Sequence, residues 1–145
     1  MPTTTQQQRD AAEEISQAFL LAYNMNDPDK IDDVVTDDFV AHHTAEPDVI
    51  RGADAYKERI TDINEGFSDF HMDQELMIVD GDMGATMYRW TGTHDGEFMN
   101  IPATNKQVDT VSLTLSRMED GKLAELWVYG DTPDLMRQLG IEMGN

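Results

Sequence analysis

At 145 residues the chain has the length of one domain, enough to bury a core without disulfides or metals. It carries 29 Asp plus Glu against 10 Lys plus Arg, a net charge of −19, so it would repel a phosphate backbone and no nucleic-acid partner is expected. With no cysteine there is no disulfide framework, no thiolate nucleophile and no thiolate metal site.

Apolar residues make up 39% of the chain and are spread along it, which argues against a disordered acidic tail. The longest apolar runs, 18–23 and 76–79, fall short of the roughly 20 residues of a membrane helix, so no membrane partner is expected. The first residues lack the basic start and apolar stretch of a secretory signal, which makes the cytoplasm the expected location. The acids are dispersed, and lysine occurs at only four positions: Lys30, Lys57, Lys106 and Lys122. One reading is a set of solvated acidic faces. The other is adaptation to multimolar salt, where the screening length falls to about 3 Å and self-repulsion is relieved. Dispersal together with scarce lysine favours the second.

In chain order, residues 1–8 are polar and expected to fray. Residues 10–24 place Ile15, Ala18, Phe19, Ala22 and Tyr23 at helical spacing. Asp27-Pro28-Asp29 reads as an N-cap, a proline and an acid opening a short second helix, with Ile31, Val34 and Val35 as its apolar side. Residues 38–44 read as extended. A third helix follows over 53–67, with Ala53, Tyr56, Ile60, Ile63 and Phe67 on one stripe.

The period then changes to two. Phe70, Met72, Leu76 and Ile78 alternate along a strand that turns at Asp80-Gly81-Asp82. Residues 83–94 return, and 96–106 form a connection holding Pro102. Residues 107–118 and 122–130 make a second hairpin around Glu119-Asp120-Gly121. Thr132-Pro133-Asp134 opens a last short helix that stops near Gly140. The order predicts a single α+β domain over 1–145, with helices on one face of an antiparallel sheet. No Gly-x-Gly-x-x-Gly follows a strand and no phosphate-binding loop occurs, so no cofactor is expected. Four scattered histidines without ligand spacing predict no metal site.

Along 107–118 the two faces differ: Val111, Leu113 and Leu115 point one way, and Thr110, Ser112, Thr114 and Ser116 the other. Either the hydroxyl face is solvated, or it lines a cavity under the helices while the Val/Leu face meets another subunit.

Five stretches in order carry a resemblance: Asp38-Phe39-Val40-Ala41-His42, residues 89–98 (Arg-Trp-Thr-Gly-Thr-His-Asp-Gly-Glu-Phe), Ile101-Pro102-Ala103-Thr104, residues 119–123 (Glu-Asp-Gly-Lys-Leu) and Arg137-Gln138-Leu139-Gly140. The chain resembles the SnoaL-like polyketide cyclases, also called ester cyclases, of the nuclear-transport-factor-2-like (cystatin-like) superfamily. The resemblance implies a cone-shaped, curved antiparallel sheet with the N-terminal helices packed over its concave face. It also implies a homodimer through the convex face (Val111, Leu113, Leu115), and Ser112 and Thr114 inside the cone. The cyclases run a cofactor-free aldol reaction, with a carboxylate late in the last long strand as the proton-transfer group. An Asn near the first strand, and a Gln and a His on the preceding long strand, orient the substrate. Aligned on Asp120-Gly121-Lys122 and on residues 137–140, those positions fall here at Val128, Ala41, Ser112 and Thr114. All four differ, and a valine carries no proton.

The remaining candidates each have two readings. His42 and His43 are adjacent on an extended segment and so point to opposite faces; one is a pocket acid/base or donor, or both are loop histidines. Arg89, between Tyr88 and Trp90, binds an anionic or carbonyl group, or pairs with Glu125 or Asp131. Asp131 is the carboxylate nearest the lost one, or it serves the start of the last helix. Tyr23 donates to an oxyanion, or packs in the core. The expected function is the binding of a small, apolar carbonyl or hydroxyl compound. Catalysis would be cofactor-free acid/base isomerase, lyase or cyclase chemistry, with His42 and Asp131 as catalytic candidates. Tyr23, His43, Arg89, Trp90, Ser112, Thr114 and Val128 would bind the substrate. The alternative is a non-catalytic ligand-binding protein.

Overall fold

The first helix, α1 (Thr5–Asn24), starts where Thr4 and Gln7 close a capping box. The Gln7 N–H donates to the Thr4 hydroxyl at 3.1 Å, and the Thr4 N–H donates to Gln7 Oε1 at 2.9 Å. The structure, a computed structural model describing residues 4–142, therefore has ordered helix over 5–8, where composition predicted fraying; residues 1–3 lie outside the described range. The predicted second helix is only a 3-10 turn, Pro28–Ile31. Asp27 makes no capping hydrogen bond, and Val35 already begins strand β1 (Val35–His43). Its apolar residues are still used, since Ile31, Val34 and Val35 are all buried.

A two-residue strand β2 (Ile50–Arg51) leads into α2 (Ala53–Gly66), which buries Tyr56 and Ile60. Four long strands follow: β3 (His71–Asp80), β4 (Met83–Thr93), β5 (Gln107–Glu119) and β6 (Lys122–Gly130). The chain then forms α3 (Thr132–Gln138), capped by the Asp131 side chain, which accepts the Asp134 N–H at 3.0 Å.

These strands form one six-stranded sheet in the order β2-β1-β6-β5-β4-β3. It is α+β with helices over the sheet, but the expected cone-shaped, curved sheet is corrected. The sheet is open, with β2 and β3 as its two edges, and β2 is too short to offer a ladder that would close it. Nor is it antiparallel throughout, because β1 runs parallel to β6.

One face carries the helices. Phe39 and Ala41 of β1, Leu123 and Leu126 of β6, and Met118 of β5 bury against Ile15, Phe19, Tyr56 and Ile60 of the helices. A second cluster gathers Phe67, Phe70, Trp90, Val108 and Leu135. On the other face Val111, Leu113 and Leu115 are 45%, 44% and 38% exposed.

The alternation expected along β3 breaks once. Its register against β4 shifts between Gln74 and Leu76, a bulge at Glu75. Beyond it, Met77 turns inward to the core while Leu76 and Ile78 turn outward, the reverse of a simple period-two reading.

Candidate functional site

The helices do not fill the space over the inner sheet face. A chamber of about 70 Å³ lies between α1, α2 and strands β3 to β6. It adjoins a wider cleft of about 600 Å³ bounded by α2, the 44–49 loop, the 97–100 loop and the start of α3. Tyr23, Met72, Ser112 and Val128 line both and mark the passage between them.

Strand alternation places the chamber's polar groups. Thr86 and Tyr88 come from β4; Ser112, Thr114 and Ser116 come from β5. From above, α1 presents Ser16 and Tyr23 on the same side as Ala12, Ile15 and Phe19, and α2 presents Tyr56. The lining thus has eight hydroxyl-bearing residues, the rest of it apolar or glycine, and no carboxylate, amine or imidazole among the described residues. Gln74 lies two residues along β3 from Met72, on the same inner face, and meets Ser16, whose hydroxyl donates to Gln74 Oε1 at 2.6 Å. Ser16 Oγ is 2.7 Å from the Tyr88 hydroxyl, and the Tyr23 and Tyr56 hydroxyls meet at 2.9 Å. Burial pushes the Tyr88 phenol up to about 12, holds Tyr23 above the ordinary range and Tyr56 well above it. All three are neutral O–H groups at any physiological pH.

The cleft is charged. Glu46, Asp62, Glu65, Glu97 and Asp131 face it with one guanidinium, Arg59, which pairs with Glu46. His43 stands beside them. Burial, then the nearby Arg59 charge, lowers its pKa to about 4, and its Nδ1 accepts the Ala45 N–H at 3.0 Å. Neutral at physiological pH and with Nδ1 occupied as an acceptor, the ring carries its proton on Nε2 and is a donor there.

Tyr23, His43, Trp90, Ser112, Thr114, Val128 and Asp131 all line the chamber or the cleft. Two sequence candidates do not. His42, expected as a catalytic group, projects from the opposite sheet face. Its Nε2 lies 2.7 Å from Glu125, its ring stacks on Trp127, and that hydrogen bond holds the Glu125 carboxyl below its usual range. Arg89, expected to bind substrate, is on that face too, 54% exposed and in a two-pronged pair with Asp109 at 2.7 Å; neither Glu125 nor Asp131 is its partner. The cause is common to both, because residues one apart on a strand face opposite ways, and His43 and Trp90 hold the inner face. Away from the cavities, His71 is exposed, and His94 is fully buried with Nδ1 accepting the Thr104 N–H and Nε2 unpartnered.

Sequence reasoning missed Ser16, Gln74, Tyr88 and Arg59. Ser16 had a legible signal, a hydroxyl inside the apolar stripe Ala12, Ile15, Phe19. Gln74 and Tyr88 had one too, since each stands two residues from an inner-face neighbour, Met72 or Trp90, and shares its face by simple alternation. Among the described residues no cluster of three or more His, Asp or Glu could hold a metal ion, and no helix is long and apolar enough to cross a membrane.

Comparison with known proteins adds to this geometry. The profile of the SnoaL-like polyketide cyclase family matches residues 13–139. A search of curated proteins finds no match. Among solved structures, TsrD from Streptomyces laurentii is similar over 92% of this chain and 98% of its own, at 26% identity and a TM-score of 0.84. IdmH from Streptomyces antibioticus, a candidate polyketide cyclase, is similar over 93% and 99%, at 25% identity and a TM-score of 0.76. A Catenulispora acidiphila protein with a ketosteroid-isomerase-like fold, solved with trimethylamine, shares the fold at 15% identity, TM-score 0.75, over 89% and 94%.

Proposed function

We propose that this chain, which belongs to the SnoaL-like polyketide cyclase family of the nuclear-transport-factor-2-like superfamily, binds a small, largely apolar compound bearing carbonyl or hydroxyl groups. One observation carries the reading: the chamber combines apolar walls with eight hydroxyl-bearing residues and no charged group among the described residues. Small-molecule pockets are built this way, with apolar surface for affinity and a few polar groups for orientation. A ring system entering it gains about 25 cal/mol for each Å² of apolar surface removed from water. Ionised groups would lose their hydration there with no counter-charge to meet.

The test uses Trp90, which lines the cleft, as reporter in a Trp127→Phe background. Aromatic ketones and naphthols are titrated against its fluorescence. Saturable quenching is expected, and Ser112→Leu, which fills the passage between the cavities, should weaken it about tenfold or more. Linear, unsaturated quenching across the panel, unchanged by Ser112→Leu, would refute the reading.

A second reading, acid/base catalysis without a cofactor, is favoured by a separate observation: His43 and Asp131 face the same cleft. On the alignment above, Val128 takes the place of the cyclases' proton-transfer acid, so the chemistry would pass to the cleft. Asp131 would take a proton from the carbon next to a ligand carbonyl, and the His43 Nε2–H would donate to the oxygen as negative charge develops there. Isomerisation, elimination or ring closure could follow from such an enolate. NMR-detected deuterium exchange at that carbon of a bound ketone checks it, with Asp131→Asn abolishing exchange while binding persists. Exchange at the buffer rate would leave binding alone.

We further infer one domain over 1–145, a homodimer through Val111, Leu113 and Leu115, and adaptation to a salt-rich cytoplasm. The supports are the three exposed apolar side chains on the helix-free sheet face and the net charge of −19.

A further inference from the structure

The hydrogen bonds around the two cavities have directions, and those directions differ between chamber and cleft. The chain starts at Glu13, a carboxylate that only accepts. Gln74 Nε2 faces it at 3.4 Å, which fixes the amide so that Oε1 points to Ser16. Ser16 has one proton, and it goes to Gln74 Oε1 at 2.6 Å. Tyr88, 2.7 Å from Ser16 Oγ, must therefore be the donor of that bond. Its proton is spent. What Tyr88 still offers to the chamber is the oxygen, an acceptor. With that proton committed to Ser16, Tyr88 needs no further acceptor.

The cleft side has the opposite polarity. His43 Nδ1 is taken by the Ala45 N–H, which leaves Nε2–H as a donor. Arg59 is the one Lys or Arg side chain facing the cleft among the described residues, and donors are all it has. A carboxylate already rests on it, that of Glu46 from the flanking loop. Glu46 is 43% exposed at its side chain and so can leave for water when another carboxylate arrives. The other acidic groups of the cleft act against an anion through solvent, where molar salt screens them over about 3 Å, whereas Arg59 acts at contact.

We propose that the site reads its ligand directionally, taking a hydroxyl proton at Tyr88 in the chamber and a carboxylate at Arg59 and His43 in the cleft. The ligand class is then a hydroxy-acid with an apolar body between its two ends. The proposal rests on the binding function above and narrows it from carbonyl or hydroxyl compounds in general to this arrangement.

The experiment is calorimetric titration in multimolar KCl with rigid hydroxy-acids of rising length: 4-hydroxybenzoate, 6-hydroxy-2-naphthoate and 4′-hydroxybiphenyl-4-carboxylate. Each is compared with its O-methyl ether and its methyl ester. The best-fitting acid should lose about tenfold in affinity on either methylation, the size of one lost hydrogen bond to a buried or charged partner. Tyr88→Phe should abolish the ether penalty and leave the ester penalty. Arg59→Gln should do the reverse. Ser16→Ala gives an independent check, because it frees the Tyr88 proton and should shift preference toward the ether. Equal affinity for an acid and its ether in the native protein, or a Ser16→Ala variant that weakens both alike, overturns the direction argued here. If aromatic ketones bind but no acid is preferred over its ester, this inference falls while the binding function stands. If neither ketones nor acids bind, both fall.

Discussion

Acidifying the solution should expose the cost of keeping His43 neutral. In the folded chain its pKa lies at about 4, against an ordinary value of 6.5, chiefly because burial disfavours the charged ring and secondarily because Arg59 is near. Below about 6.5 the unfolded chain takes up a proton that the folded chain refuses until about pH 4. Over that window the unfolded state binds more protons, so stability falls as pH is lowered; above it the contribution is fully present, and below it the loss is complete. Each pKa unit corresponds to about 1.36 kcal/mol, which sets a ceiling of roughly 3 kcal/mol; with the cleft open to water, roughly 2 is expected. His43→Asn isolates the effect, since its Oδ1 can accept the Ala45 N–H in place of Nδ1 but does not titrate. Urea unfolding of both proteins from pH 7.5 to pH 4, at one salt concentration, cancels the 29 acidic side chains they share. The native protein should lose about 2 kcal/mol more than the variant across the window. Parallel curves would show that position 43 is solvated in the folded state and would remove the neutral donor from the cleft.

Three other outcomes follow from the same structure. Melting temperature should climb steeply from dilute buffer into multimolar KCl, and a flat curve would contradict salt adaptation as the reason for a net charge of −19. The native protein should be a dimer by light scattering at tens of micromolar, and Leu113→Asp should split or unfold it; a monomeric native protein would refute the interface at Val111, Leu113 and Leu115. Val128→Asp places a carboxylate against the apolar chamber, so its pKa should rise above the reference of about 3.9 by NMR titration. That raised value costs stability above the folded pKa and nothing below the unfolded one, so the variant should gain on the native protein as pH falls. An unshifted aspartate would put position 128 in solvent.

Much of the element order was legible because it depends on local pattern: helical stripes at 15–23 and 53–67, turns at Gly81 and Gly121, and the two-faced strand around Ser112. What escaped depends on contacts distant in sequence. The parallel pairing of β1 with β6 joins residues some 85 apart, such as Val40 and Glu125, and carries no local signature. The open sheet edge has the same origin, since fold resemblance led to an expected cone and only strand pairing reveals β2 as a two-residue edge. The bulge at Glu75 reversed the facing of Leu76 and Ile78 without a glycine or proline to announce it. In the site, Tyr23, His43, Ser112, Thr114 and Val128 were reachable from alternation and resemblance. The choice between His42 and His43 was not, because both faces of β1 carry a histidine and only the position of the helices separates them.

The most direct test of binding in the chamber is NMR on protein carrying ¹³C-labelled methionine methyls. Met72 and Met77 line the chamber, while Met83 and Met87 lie on the helix-free face of the sheet. Titration with an aromatic ketone or a hydroxynaphthoate should shift the Met72 and Met77 methyls in saturable fashion and leave Met83 and Met87 unmoved. Saturable shifts at Met83 and Met87 with Met72 and Met77 unchanged would place binding on the opposite face and contradict the chamber as the ligand site.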